Sequence, residues 1–407
     1  MALTWIEDGS TTTPAGFRAG TAACGIKHAN RDDLAVVMSD RPCSAAALFT
    51  TNKVKAAPVR YDMQLLARNA AGLRALVVNS GNANACTGEA GEQATAATAQ
   101  AVEQVLDLPP DSAFVMSTGV IGVPLPLEKL LHGIASLAAG LDSAHGPAAA
   151  RAIMTTDTRP KMVAASVVLP SGTSISIGGM SKGAGMIHPN MATMLACITS
   201  DAAVSPAALD AALRYAADRS FHCISIDGDT STNDTLLALA NAASGAALID
   251  DLASPDGQAF LAGLTAVCQQ LAQAIVRDGE GATRFVTIHM RGAASDAEAR
   301  QAALTVARSP LVKTALFGAD PNWGRVLCAL GYSGVALNPE RVVLHFGGMK
   351  VLEQGLPIDF DEQAAHALLD VPEVTIEADL GIGEGSATVW TCDFSYEYIK
   401  INAEYRT

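Results

Sequence analysis

A glycine-rich segment at residues 178–195 contains the side chains of this chain that are best suited to chemistry. It has four glycines within eight positions and also carries Lys182, His188 and Thr193. Glycine permits positive φ angles and close backbone approach, so three interpretations are open: a phosphate-binding loop, a plain turn between two strands, or a strained loop that presents a threonine nucleophile. The first is disfavoured, because the segment lacks both the GxxxxGK[ST] spacing and a strand–GxGxxG–helix context.

The nucleophile interpretation has a chemical logic of its own. A threonine hydroxyl is a weak nucleophile at neutral pH and needs a nearby base. If the Ala192–Thr193 peptide bond is broken, Thr193 gains an α-amino group with an ordinary pKa of about 7.7–8.0, which suits a general base. The same hydroxyl could break that bond by attacking the Ala192 carbonyl, if the loop is strained enough.

The segment 182–195 resembles the cleavage segment of the ornithine acetyltransferases of arginine biosynthesis, which are also called glutamate N-acetyltransferases. Seven further motifs of that family occur in the family's order along almost the whole chain. They lie at residues 78–88, 117–122, 154–158, 227–234, 278–283, 318–325 and 401–407. Any one of them would be weak, but together they are highly specific.

The resemblance implies a concrete reaction. Members of the family cleave themselves at the bond that matches Ala192–Thr193, which gives an α fragment, 1–192, and a β fragment, 193–407, of 407 − 192 = 215 residues. Thr193 then takes the acetyl group from N-acetylornithine and passes it to glutamate by a ping-pong mechanism, with no metal or organic cofactor. Some members also take the acetyl group from acetyl-CoA, and the motifs do not decide this point. The family fold is α+β, with mixed sheets layered with helices (αββα-like), and the fragments associate as a heterotetramer.

The resemblance also assigns the acyl-transfer groups. Thr118 and Gly119 match the family's oxyanion hole, where a hydroxyl and a backbone N–H stabilise the charge of the tetrahedral intermediate. The structural alternative is an ordinary Ser-Thr-Gly turn. Lys182 is expected to hold a substrate carboxylate, since both substrates carry one and an ammonium suits it; the alternative is a solvated lysine in a loop.

Four further residues match the family's substrate-binding positions: Thr156, Glu280, Asn402 and Thr407. The alternatives are a turn held by hydroxyl-to-backbone bonds at Thr156, a helix-end turn at Glu280 and frayed terminal residues at the other two. His188 is interpreted as a residue that positions the cleavage loop. The acidic segment 225–234 is interpreted as a substrate-side or structural turn.

Two other classes of enzyme compete with the acetyltransferase. One is a related N-terminal threonine amidohydrolase or aminopeptidase, with water as the acceptor; ornithine release in the absence of glutamate would favour it. The other is a nucleotide-dependent enzyme that uses the glycine-rich loop, in which case ATP or ADP should raise the thermal stability.

Alternating helical and strand-like segments must position these residues. Helices are predicted at 87–108, 127–137, 206–219, 257–277 and 296–308, the third with Ser205 as N-cap and Pro206 at the first helical position. Strands are predicted at 34–38, 75–79, 163–169, 173–177, 285–289, 341–346, 374–378 and 387–391. Helices and strands mixed in this way predict sheets covered by helices.

The composition excludes some partners. Lys plus Arg is 27 and Asp plus Glu is 41, so the net charge is −14, which disfavours nucleic acid and anionic membrane surfaces. No CxxC or HExxH spacing occurs among the eight cysteines and eight histidines, so reduced thiols and no dedicated metal site are expected. Residues 1–17 resemble neither a signal nor a transit peptide, and a cytoplasmic location is expected.

Overall fold

The computed structural model describes residues 2–26, 30–188 and 194–404. Its strands, in chain order, are β1 (Ala2–Ile6), β2 (Phe17–Ala22), β3 (Leu34–Phe49), β4 (Leu73–Asn82), β5 (Ala113–Val120), β6 (Lys161–Val168), β7 (Ser174–Lys182), β8 (Leu195–Ser200), β9 (Ile224–Ser225), β10 (Thr235–Ala240), β11 (Phe285–Ala293), β12 (Val343–Phe346), β13 (Met349–Glu353), β14 (Leu356–Pro357), β15 (Glu373–Asp379) and β16 (Gly385–Cys392).

The helices are α1 (Ala57–Asn69), α2 (Gly88–Val105), α3 (Leu127–Ser136), α4 (Gly146–Ala152), α5 (Pro206–Ala217), α6 (Pro255–Arg277), α7 (Asp296–Ala307), α8 (Pro310–Phe317), α9 (Trp323–Gly331), α10 (Glu362–Leu369) and α11 (Tyr396–Glu404). Helices α5 to α8 begin in the same way, because the serine before each accepts a hydrogen bond from the backbone N–H three residues on. This satisfies a donor that the first turn leaves unpaired.

Two mixed sheets form the frame. The first runs β1-β6-β7-β8-β10-β3-β4-β5, with β2 also paired to β3. Its β8–β10 and β4–β5 pairs are parallel and its other pairs antiparallel. The second runs β14-β13-β12-β15-β11-β16-β9. Strand β3 is long enough to pair with β10 through its second half and with β2 and β4 through its first half.

Helix α6 connects the two sheets. It packs on β6 and β7 of the first sheet and also contacts β16 of the second. One buried apolar cluster therefore contains Val167 of β6, Leu264 of α6 and Val389 of β16. Among the described helices, α6 alone is long and apolar enough to cross a membrane, but 61% of its most apolar window is buried inside the protein, as expected of a core helix.

The α+β class with mixed sheets layered with helices is confirmed. All five predicted helices and all eight predicted strands are present, most with ends shifted by a few residues. The largest shifts are at β3, which continues to Phe49, and at β7, which runs on through Gly178 and Gly179 to Lys182. The glycine-rich turn therefore begins only at Gly183, because the glycines before it are part of the strand.

Candidate active site

A cavity of about 630 Å³, including its open mouth, lies where β5 and β7 end and where the turn after α6 meets α11. It is lined by Ala83, Thr118, Gly119, Ile121, Thr155, Thr156, Lys182, Gly185, Met186, Ser231, Thr232, Asn233, Glu280 and Asn402. Six of these residues were predicted as functional from the sequence: Thr118, Gly119, Thr156, Lys182, Glu280 and Asn402. Their roles stay predictions, but their proximity is a property of the fold.

The backbone at the end of β5 leaves no room for a side chain. Gly119 has a φ of +134°, and a Cβ built on it would lie 2.2 Å from the carbonyl carbon of Gly81 in the neighbouring strand β4. The register between β4 and β5 is irregular at this point. Glycine is required here by conformation and by space, and its N–H can approach a ligand closely.

Lys182 ends β7 as a buried residue, which excludes the alternative of a solvated loop lysine. Its Nζ donates to Thr118 Oγ1 over 3.3 Å. An ammonium group only donates hydrogen bonds, so the hydroxyl proton of Thr118 is left to point at another acceptor. Burial lowers the pKa of Lys182, and Asp157 opposes that shift.

Glu280 and Asn402 close the opposite side of the cavity. Asn402 lies in α11 and donates from Nδ2 to Glu280 Oε2 over 2.8 Å. The backbone N–H of Glu280 donates to the carbonyl of Ala184 over 2.7 Å. A Cβ on Gly185 would lie 2.4 Å from the Glu280 carboxylate, so this glycine allows the turn after α6 to sit against the glycine-rich segment.

Three lining residues at 231–233 were not among the predicted candidates. The Asn233 side chain donates to the carbonyls of Ala83 and Ser117 over 2.6 and 2.8 Å, which joins this turn to the ends of β4 and β5. The sequence did indicate this region, because residues 231–233 belong to the acidic segment 225–234. That segment was interpreted only as a substrate-side or structural turn. Its position in the cavity depends on contacts more than 100 residues apart.

The cleavage bond and part of the tail lie outside the described residues: Ala192, Thr193 and Thr407. The residue after Thr193 is described, and it is anchored. Met194 is buried, and its N–H donates to Asp234 Oδ1 over 3.1 Å. Burial raises the pKa of Asp234 well above its ordinary value, although hydrogen bonds from Ser231 and Met194 oppose the shift.

Residues 18–407 match the sequence profile of the ArgJ family. The chain belongs to the ArgJ family. Its relatives include the arginine biosynthesis bifunctional protein ArgJ of Symbiobacterium thermophilum, 50% identical over 100% of both chains, and that of Thermosynechococcus vestitus, 48% identical over 98% of both. A solved chain of the Bacillus halodurans protein is 40% identical with a TM-score of 0.50; the match covers 51% of this chain and 98% of that one. The predicted family resemblance is thereby confirmed.

Other groups near the site are less suited to catalysis. Burial, with a contribution from Arg308, lowers the pKa of His188 to about 4, and its ring contacts Ser225 Oγ over 3.2 Å. Burial raises the pKa of the Cys197 thiol in β8, which fits a core residue rather than a nucleophile. In the part of the chain that the structure describes, no group of three or more His, Cys, Asp or Glu side chains could hold a metal ion.

Proposed function

We propose that this member of the ArgJ family is a self-cleaving acetyltransferase that moves the acetyl group of N2-acetyl-L-ornithine to L-glutamate through an acetyl-Thr193 intermediate. The observation that carries the proposal is the cavity itself. It gathers the six described candidate residues from five separate parts of the sequence, and Met194, the neighbour of Thr193, is anchored by Asp234.

The geometry supports acyl transfer. In the proposed first step, the Thr193 hydroxyl attacks the acetyl carbonyl and its α-amino group takes the proton, which then goes to the departing amine of ornithine. Thr118 and Gly119 would donate to the oxyanion, and removal of one such donor typically costs about 2.7–4 kcal/mol. Lys182 supports this role, because its hydrogen bond to Thr118 Oγ1 directs the hydroxyl proton away from itself. The amine of glutamate then attacks the acetyl-enzyme, which restores Thr193.

Charge in the cavity suits both substrates. Of the described lining residues, Lys182 is the cation and Glu280 the carboxylate. Ornithine and glutamate both carry a carboxylate and an ammonium, so the two side chains can orient either amino acid. A net charge of −14 would not attract glutamate, so recognition requires placed groups such as these.

The proposal extends to the assembled form of the protein. We propose fragments 1–192 and 193–407, two copies of each in the active enzyme, and a cytoplasmic location. The solved Bacillus halodurans chain supports two nearly equal fragments, since nearly all of it matches about half of this chain. All eight cysteines are free thiols, which fits a reducing compartment. The name of the relatives, bifunctional, supports acetyl-CoA as a second acetyl donor to glutamate.

The decisive experiment changes Thr193. Wild-type protein should give two masses, for 1–192 and 193–407. Without glutamate it should release at most one ornithine per active site, and glutamate should be needed for continued release. Thr193→Ala should stay a single chain without activity. Thr193→Ser is the matched control, because it keeps a hydroxyl at the same position and should retain cleavage and transfer at reduced rates.

Two results would contradict the proposal. An intact wild-type chain that still transfers acetyl groups would exclude the N-terminal threonine mechanism. Continued ornithine release without glutamate, beyond one equivalent per active site, would indicate a hydrolase. Release of CoA from acetyl-CoA in the presence of glutamate tests the second donor separately.

A further inference from the structure

Lys161, the first residue of β6, carries a buried ammonium group at the centre of an ion triad. Its side chain is 1% exposed, and Nζ lies 2.5 Å from Asp157 Oδ1 and 2.6 Å from Asp278 Oδ2. The other cation near Asp278 is Arg159, which is largely exposed and 3.8 Å away. Among the described residues, Lys161 is thus the one cation that forms ion pairs with both carboxylates, although it does not line the cavity.

The Asp157 arm of the triad holds two cavity segments together. Asp157 Oδ1 accepts the N–H of Gly183 over 2.7 Å, and Oδ2 accepts the N–H of Thr155 over 3.0 Å. Burial opposes ionisation of Asp157, but the ammonium groups of Lys182 and Lys161 hold its pKa at about 2. The carboxylate stays charged at neutral pH, so both backbone donors keep a strong acceptor.

The Asp278 arm ties in the third segment. Its two oxygens accept the hydroxyl and the N–H of Thr158, the latter over 3.1 Å. Asp278 lies two residues before Glu280, whose N–H donates to Ala184. Segments 155–158, 182–185 and 278–280 thus form a closed ring of contacts.

We propose that Lys161 is a positioning residue for acetyl transfer: as the shared counter-ion of Asp157 and Asp278, it sets the spacing of Thr156, Lys182 and Glu280 around the substrate. Each of the three segments carries one of these cavity residues. Apart from the last residue of β7, all three segments are irregular backbone outside helices and strands, so no ladder of hydrogen bonds fixes their separation. Without the ammonium, the two carboxylates would repel each other and the segments would move apart. The inference rests on the proposed function for its catalytic consequence.

Substitution of Asp157 and substitution of Asp278 should change the kinetic constants in different ways. Asp157→Asn weakens the contact to Gly183, next to the lysine that orients Thr118, so kcat should fall by about 10- to 100-fold. Asp278→Asn loosens the turn that carries Glu280, so KM for N-acetylornithine should rise on the order of tenfold with a smaller change in kcat. Glu103→Gln is the matched control: Glu103 is a buried carboxylate that also accepts two backbone N–H groups, those of Ser112 and Ala113, at the far end of β5 from Thr118.

The experiment measures kcat and KM per acetylated active site, together with amide hydrogen exchange of residues 155–158 and 182–185. Exchange should rise in these segments in both Asp variants and stay at the wild-type level in Glu103→Gln. The proposal is overturned if both Asp variants keep wild-type kcat, KM and exchange while only their melting temperature falls, or if Glu103→Gln loses as much activity.

Hydrogen exchange tests the positioning role of Lys161 independently of the proposed acetyltransferase function. A wild-type protein that does not transfer acetyl groups contradicts the proposed function, and the exchange data then decide the positioning role by themselves. If one Asp variant fails to fold, the other arm still gives both readouts.

Discussion

Lys161 and Lys313 are both fully buried lysines, and they differ in what faces them. Lys161 lies in the first sheet beside the cavity and contacts two carboxylates at 2.5 and 2.6 Å. Lys313 lies in α8, beside the second sheet. Its Nζ donates to Thr391 Oγ1 over 2.8 Å and to the carbonyl of Cys392, and it faces the Phe394 ring at 4.6 Å. Among the described residues, no carboxylate forms an ion pair with Lys313.

The two buried ammonium groups therefore differ in how their charge is compensated. At Lys161 the charge is compensated, so it can hold loops that carry cavity residues. At Lys313 burial lowers the pKa, with Cys392 and Asp393 opposing the shift, and neutral oxygens satisfy the donors. Among the described residues, the two buried lysines therefore differ in whether carboxylates form ion pairs with them.

The largest change in the free energy of unfolding should come from replacement of Lys161, the lysine that is paired with two carboxylates. Lys161→Met removes the cation that the buried Asp157 and Asp278 share and should lower the free energy of unfolding by about 3–5 kcal/mol. Lys313→Met replaces the unpaired lysine by an apolar chain of similar volume and should change it by less than about 1.5 kcal/mol. Urea unfolding at fixed protein concentration measures both. Equal losses in the two variants would contradict the comparison.

A change of intermediate size in the free energy of unfolding should appear at acidic pH. The pKa of Asp157 is held at about 2, below its ordinary value of 3.8, so its contribution is present above pH 4 and is lost as the pH falls through 2. That contribution is about 2 kcal/mol. The difference in unfolding free energy between wild type and Asp157→Asn should therefore shrink by about this amount between pH 5 and pH 2. A difference that does not depend on pH would show that Asp157 has the same pKa in the folded and unfolded states, and a difference that grows toward acid would show that the folded state keeps the carboxyl protonated.

The smallest change in the free energy of unfolding should appear at alkaline pH. A lysine whose pKa is lowered on folding binds fewer protons in the folded state, so stability rises with pH from the folded pKa up to the unfolded value of 10.5. Wild type should gain this stability between pH 7 and 10.5, and Lys313→Met should not. The subtraction of the two curves removes the titration of the other buried thiols, which has the opposite sign, but it keeps that of Cys392, because burial raises the pKa of this thiol and Lys313 opposes that shift. A constant difference across this range would indicate that Lys313 is not penalised by burial.

Some of the site could be predicted because its information is local. The N-cap serines and the prolines that follow them indicated where α5 begins, and period-two alternation indicated β15. The family motifs pointed to Thr118, Lys182, Glu280 and Asn402, and the cavity contains all four. The helix and strand predictions needed only residue type and spacing, whereas the four site residues were predicted from the family resemblance.

Other features had no local signal. The sequence did not indicate a role for Lys161: Asp157 is only four residues away, but Asp278, which completes the triad, lies 117 residues away. The Asn402 side chain meets Glu280 across 122 residues, and a lysine expected either to bind a carboxylate or to be solvated is buried against Thr118.

The amino-acid sequence by itself determined the family, most of the helix and strand segments and a set of candidate residues for the chemistry. The tertiary structure decided which of those residues share a cavity, which ammonium groups are paired and how far each pKa is displaced. The physical reason is that burial and Coulomb interactions depend on distance in space, and the residues that supply them come together only when the two sheets and α6 pack.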